Sequence, residues 1–355
     1  MPPLAPMLAK ATDALPDSEP GQYLFEPKWD GFRCIVFRDG DDVVLGSRNE
    51  KPLNRYFPEL INALQISIPD RCVIDGEIVV TGSDGLDFDA LQQRIHPAES
   101  RVRKLAEETP SSFVAFDMLA DDDRSLLDEP FVDRRRALER ALAGAEPPVH
   151  LTPSTTDREV ASDWFVRFEG AGLDGVMAKP AAGHYQPDKR VQLKVKHQRT
   201  ADCVIAGYRV HKSGDGVGSM LLGLYDEDGR LHHLGVASSF TAARRKELTG
   251  ELAPFVADDL SSHPWGEWAS AAAHEAGTSG RLPGAPSRWN ATKDLSFTPV
   301  RPERVAEVAY ERVDNGRFRH SARFLRWRTD RSPDTCTFAQ LEVVPPIELL
   351  TVFGS

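Results

Sequence analysis

Cysteine is scarce in this chain, and Cys34, Cys72, Cys203 and Cys336 stand far apart with no CxxC pair and no Cys/His spacing. That pattern argues against a disulfide framework and a structural zinc cluster, and leaves reduced packing residues. Long apolar runs are missing as well: nothing approaches the ~20 residues of a membrane span. The opening MPPLAPMLAK lacks the charged, hydrophobic and cleavage regions of a signal peptide. The expectation is a cytoplasmic protein without a membrane partner. Positive charge is also short, with 43 Lys and Arg against 54 Asp and Glu, a net charge of -11. On that total the chain has the wrong sign for gripping phosphate backbones. What it does have is length: 355 residues, 41% of them hydrophobic, are enough for two globular domains.

The distribution of charge says more than its sum. Residues 189–212 carry Lys189, Arg190, Lys194, Lys196, Arg199, Arg209 and Lys212 against Asp202, and residues 312–331 gather arginines against Asp314 and Asp330. Acid concentrates instead at Asp121, Asp122, Asp123, Asp128 and Glu129. Either basic stretch is a solvated face or a nucleic-acid contact.

Strand-like runs appear at YLFEP, FRCIVF and VVLGS, the last two around the turn Asp39-Gly40-Asp41, and again at 73–80, 113–119, 173–179 and 191–196. Helical patterns fall at about 87–95, 130–143 and 157–170, the last opening on a Thr156-Asp157 cap. These spacings predict an α+β domain with antiparallel sheets. Beyond His197-Gln198-Arg199-Thr200 the rhythm changes to DCVIAGYRV, SMLLGLYD and LHHLGVAS, the short strands of a small all-β barrel. A helix near 241–253, a Gly/Ser/Pro/Ala-rich loop near 270–288 and the strand VAEVAYERV follow.

The chemistry concentrates in a few strings. Glu26-Pro-Lys28-Trp-Asp-Gly-Phe-Arg33 ends a strand on a lysine with a second cation close by. A lysine acts as a nucleophile only where cations, metal or desolvation remove its proton, and the same string also fits a hairpin with a surface lysine. VIDGEIV puts Asp75 and Glu77 on one strand face, where they would orient a ribose hydroxyl or a metal, or line a wet edge. LKVK sets Lys194 and Lys196 on one face, as phosphate clamps or as a solvated edge.

Taken in order, these strings resemble the motif series of the covalent nucleotidyltransferases, the superfamily of ATP-dependent DNA ligases, RNA ligases and mRNA capping enzymes. Lys28 to Arg33 resembles motif I, Asp75-Gly76-Glu77 motif III, and Phe116-Asp117 motif IIIa. Asp174 to Met177 is similar to motif IV, Lys194-Val195-Lys196 to motif V, and Arg328-Thr329-Asp330-Arg331 to motif VI. Pro6-Met7-Leu8-Ala9 and FRHSARFLRWRTDR are similar to the short bacterial C-type DNA ligases. Two positions depart from the pattern: Asp174 replaces the usual glutamate and Arg331 the usual lysine.

The resemblance implies an adenylation domain over 1–198, an OB-fold domain over 202–355, and sealing of nicked duplex DNA with ATP through a lysyl-AMP on Lys28. It implies that Glu26 holds the adenine edge, with Phe116 on one ring face and Met177 on the other. Arg33 and Glu77 would hold the ribose and neighbouring phosphate, and Lys194 and Lys196 the α-phosphate. Glu77 and Asp174 would bind a divalent metal, Mg²⁺ or Mn²⁺, and Arg48 the 5'-phosphate of the nick. Arg328, Asp330 and Arg331 would align the pyrophosphate once the OB domain swings over the nucleotide. A monomer binding DNA weakly and salt-dependently is expected, serving repair beside a primase-like polymerase and gap-processing enzymes. An RNA ligase or a GTP-using capping enzyme is the alternative within the superfamily, against which Glu26 and the bacterial-type ends argue. A non-catalytic OB-fold nucleic-acid binder is the alternative outside it, against which the intact lysines argue.

Overall fold

The computed structural model describes residues 3–82, 85–214, 216–269, 296–314, 316–341 and 350–353. The expected loop near 270–288 lies outside them. Contacts divide the chain into one unit of Met1–Lys196 with Val344–Ser355 and a second of His197–Val343.

In chain order the strands of the first unit are β1 (Leu8–Thr12), β2 (Tyr23–Pro27), β3 (Phe32–Asp39), β4 (Asp42–Ser47), β5 (Arg71–Gly82), β6 (Gly85–Leu86), β7 (Ser111–Asp121), β8 (Arg124–Ser125), β9 (Val149–Leu151), β10 (Gly175–Pro180) and β11 (Arg190–Lys196). One sheet runs β1-β11-β10-β2 and the other β4-β3-β5-β7-β8, with β6 on β5 and β9 on β7. Pairing is antiparallel except for β1 with β11 and β7 with β9. The β3-β4 hairpin turns where its sequence asks, with Gly40 at φ +62.

Strand alternation sorts the side chains. On the first sheet Phe25, Val176, Ala178 and Leu193 point into a core that includes Trp164 and Phe168. Their neighbours Glu26, Met177 and Lys194 stand in one row across β2, β10 and β11 on the opposite face. On the second sheet Cys34, Val36, Ile74 and Ile78 fill another core with Leu60 and Leu64. Arg33 and Glu77 are register partners on the other face, as are Ile35 and Asp75.

The helix at Arg158–Arg167 is capped by Asp157, whose side chain accepts from Glu159 N. Helices at Pro58–Ser67 and Glu99–Glu108 were not among those the periodicity suggests. Each turns a pair of buried side chains at helical spacing to the core, Leu60 and Leu64 in one and Val102 and Leu105 in the other. The C-terminal stretch corrects the expected 202–355 boundary: Val352 is buried in the first unit, and Phe353 stacks on Trp29 at 5.1 Å and on His150 at 4.1 Å.

The second unit holds β12 (Arg199–Val210), β13 (Val217–Tyr225), β14 (Leu231–Ala237), β15 (Thr298–Tyr310), β16 (Val313–Asp314), β17 (Arg317–Phe318) and β18 (Arg323–Trp327). Its main sheet runs β14-β13-β12-β15-β18, all antiparallel. The two edges meet through a bridge from Ala237 to Ala322, with Ala322 N donating to Val236 O at 2.8 Å. The result is the five-stranded barrel of an OB fold, filled by Leu222, Trp265 and Val308 among others.

Candidate active site

The inner faces of the two sheets of the first unit enclose a cavity of about 220 Å³. Two glycines let the strands close on it. A Cβ on Gly31 would sit 2.1 Å from the Ile78 carbonyl oxygen, and one on Gly175, at φ +136, would sit 2.0 Å from that of Val195. Only glycine fits at either position, which explains the Asp-Gly steps of both motifs.

Lys28 leaves β2 tied to the segment before β10. Its backbone N–H donates to Gly175 O at 2.8 Å, and Asp174 N donates to Lys28 O at 3.0 Å. The side chains repeat the link, Lys28 Nζ donating to Asp174 Oδ2 at 2.7 Å, with Lys196 Nζ at 3.3 Å from the same oxygen. Asp174 thus gathers the nucleophile candidate and one of the paired lysines beside the cavity. Lys28, Arg33, Arg48 and Lys194 line its wall, joined by Lys179 and Arg190, against the acids Glu26 and Glu77. A local excess of cations in a chain of net negative charge makes this a site for a polyanion.

Glu26 is 2% exposed. Lys179 Nζ lies 2.6 Å from Oε2 and Arg135 Nη1 3.4 Å from Oε1. Burial pulls the Lys179 ammonium down, and Glu26 pulls it back up. Glu26 thus faces the cavity with two basic side chains on its carboxyl group. Phe116 is the extra residue of a β-bulge: Asp75 pairs with Asp117, and Gly76 pairs with Ala115. The bulge re-aims the ring into the cavity wall that Met177 also lines. Arg33 stands 4.4 Å and Lys179 Nζ 4.5 Å from the Phe116 ring centroid, so a base on this ring shares it with cations.

Asp75 has a structural partner set. It is fully buried and receives Arg33 through Nε and Nη2, both at 2.5 Å, and Tyr185 OH at 2.7 Å. Met7 N donates to the Tyr185 oxygen at 3.0 Å, which ties the N-terminal Pro-Met-Leu-Ala segment to Arg33. Burial, with the Asp75 carboxylate beside it, holds the Tyr185 hydroxyl well above its ordinary range. Glu77, by contrast, keeps its carboxyl at the cavity, where burial pushes it up to about 7 against the pull of Arg33 and Lys28.

Lys179, Arg135, Tyr185 and Gln192 join the site without having been singled out in the sequence. For Lys179 and Gln192 the signal was present, since each lies two residues from Met177 or Lys194 and therefore on the same strand face. Arg328, Asp330 and Arg331 belong to the second unit, where Arg328 bonds Asp202 and Asp330, and Arg331 bonds Asp202 and Thr335.

Residues 2–196 match the family model of the ATP dependent DNA ligase domain, and residues 213–331 that of the ATP dependent DNA ligase C terminal region. The chain belongs to the ATP-dependent DNA ligases. This ligase is 58% identical over 347 residues to DNA ligase C of Mycobacterium tuberculosis, covering 96% of this chain and 94% of that protein. It is 32% identical over 339 residues to the multifunctional non-homologous end joining DNA repair protein LigD of the same species, covering 93% of this chain and 39% of that one. A solved Lig E DNA ligase shares its fold at a TM-score of 0.56 and 16% identity, over 91% of this chain and 99% of that one. Among the described residues no helix is long and apolar enough to cross a membrane.

Proposed function

We propose that this ligase seals nicks in duplex DNA through a lysyl-AMP on Lys28. The observation that carries the reading is the position of Lys28, in a cavity wall whose other cations surround it. In the first step Lys28 Nζ, having lost its proton, attacks the α-phosphorus of ATP; a P–N bond forms and pyrophosphate leaves. Asp174, hydrogen-bonded to Nζ, orients the amine, and the proton passes to solvent. The AMP then passes to the 5'-phosphate of the nick, which frees Lys28, and the 3'-hydroxyl attacks so that AMP leaves.

Glu26 reads the adenine amine, and Phe116 and Met177 flank the base. Arg33 and Glu77 orient the ribose and its phosphate. Lys194 and Lys196 neutralise the α-phosphate as charge moves through it, and Arg48 takes the 5'-phosphate of the nick. Arg328, Asp330 and Arg331 align the pyrophosphate.

Glu77 and Asp174 would fit a divalent cation: both offer hard oxygen donors, and burial, which raises the Glu77 carboxyl, is a cost that a bound cation would offset. No group of three or more acidic, His or Cys side chains that could hold a metal occurs among the described residues, so a cation held by Glu77 and Asp174 would take its remaining ligands from substrate and solvent. Bound there, Mg²⁺ or Mn²⁺ supplies Lewis-acid neutralisation of phosphate charge.

The likeness to the end-joining repair protein supports a place in DNA repair; the accompanying proposal is a cytoplasmic monomer working alongside a primase-like polymerase and gap-processing enzymes. The test is incubation with α-labelled ATP or GTP, followed by denaturation. Label retained from ATP alone supports the reading, and label from GTP or from neither rejects it.

A further inference from the structure

Asp202 on β12 holds the arginines of the segment that follows β18. It is 5% exposed, between the buried apolar residues Ala201 and Cys203. Arg328 Nη1 donates to its Oδ1 at 3.0 Å and its Oδ2 at 2.8 Å, and Arg331 Nη1 donates to the same Oδ2 at 2.8 Å. Arg328 turns its other edge, Nε and Nη2, to Asp330 at 2.9 and 2.8 Å. Arg331 rests on Thr335, Nε at 3.3 Å from Oγ1 and Nη2 at 3.2 Å from the carbonyl oxygen. The Asp202 backbone is clamped in turn: its N–H donates to Gln340 Oε1 at 2.7 Å, and Gln340 Nε2 donates to its carbonyl at 3.1 Å.

Two guanidinium groups repel each other, and they share one oxygen here because it carries negative charge. Stability is a weak reason for such a cluster, since apolar packing in place of a buried ionic group is often as stable or more so. What the cluster delivers is two cations at a fixed spacing, with side chains still 20% and 31% exposed. A group set before the reaction needs no reorganisation when charge appears.

We infer that Asp202 is a positioning residue for self-adenylation, holding Arg328 and Arg331 in the arrangement that receives the departing pyrophosphate. This rests on the reading of residues 328–331 given above. Asp202 itself touches no substrate, and once the nick carries AMP there is no pyrophosphate left for its arginines to receive.

The test compares two single-turnover assays, self-adenylation from ATP and sealing of a pre-adenylated nick, in Asp202→Asn and Arg331→Ala. Asp202→Asn keeps the size and removes the charge. Adenylation is expected to fall on the order of 10- to 100-fold, with sealing of the pre-adenylated nick little changed and with partial recovery in Asp202→Glu. If Arg331→Ala loses adenylation alone while Asp202→Asn adenylates like wild type, the positioning role is wrong and the motif reading stands. If Arg331→Ala adenylates normally, the motif reading fails and takes the inference with it. Proportional losses in both assays with a lowered Tm would make Asp202 merely structural and overturn the proposal. Should Asp202→Asn not fold, Gln340→Ala, which releases the backbone clamp, must show the same split between the two assays, and its absence is equally fatal.

Discussion

Lys28 Nζ donates to Asp174 Oδ2 at 2.7 Å although 146 residues separate the two in sequence. The usual residue at position 174 in the family resemblance is a glutamate, one methylene longer. If Asp174 holds the metal as proposed, the shorter arm would leave a wider site, and Mg²⁺ tolerates departures from octahedral geometry poorly. Mn²⁺ is therefore expected to support sealing at least as well as Mg²⁺ at matched, saturating concentrations, and Asp174→Glu is expected to retain activity. Clear superiority of Mg²⁺ in wild-type sealing rates contradicts this account of the site.

Glu77 sets a pH dependence. Burial raises its folded carboxyl from the ordinary 4.5 to about 7. The stability it contributes is present below about 4.5 and is lost as pH rises through about 7, because the folded state disfavours the charged form. Relative to wild type, Glu77→Gln should gain in Tm between pH 5 and pH 8. Thermal melts in a chelator measure this, and a difference that does not change with pH rejects it.

The Glu26–Lys179 pair is buried on both sides, with exposures of 2% and 3%. Lys179→Met removes one partner and leaves Glu26 with Arg135 alone, at the longer distance of 3.4 Å. Denaturant titration should show a loss of about 3 kcal/mol. A loss under about 1 kcal/mol would place the pair in the range of an exposed ion pair.

The strand periodicity was legible because it is local. Asp75 and Glu77, and Lys194 and Lys196, each lie two residues apart on one strand, so their common faces follow from the pleat alone. What turned Asp75 into a structural residue was Tyr185, 110 residues away, and no local pattern carries that pairing. The same holds for Arg135 on Glu26, 109 residues apart. The Phe116 bulge depends on how β7 registers against β5, a property of two strands together. The return of Phe353 to Trp29 rests on a short C-terminal helix, too brief to show a helical period.

Arg48, just past β4, lines the cavity, and its proposed role on the 5'-phosphate of the nick falls after the first step. Arg48→Ala should keep self-adenylation near wild type and slow transfer of AMP to the nick by about tenfold or more, the loss of one charge-assisted phosphate contact. Chasing pre-labelled enzyme onto nicked duplex separates these steps. Loss of self-adenylation to the same extent would place Arg48 on the nucleotide instead.

The central claim is that Lys28 carries the AMP. Its side chain is 19% exposed at a cavity rather than packed in a core, so Lys28→Ala should fold as wild type does. Wild-type and Lys28→Ala proteins incubated with α-labelled ATP and a divalent cation, then denatured, give the most direct answer. The account predicts label on the wild-type chain and none on the variant, with unchanged circular dichroism and Tm. A variant labelled at the wild-type level would contradict it.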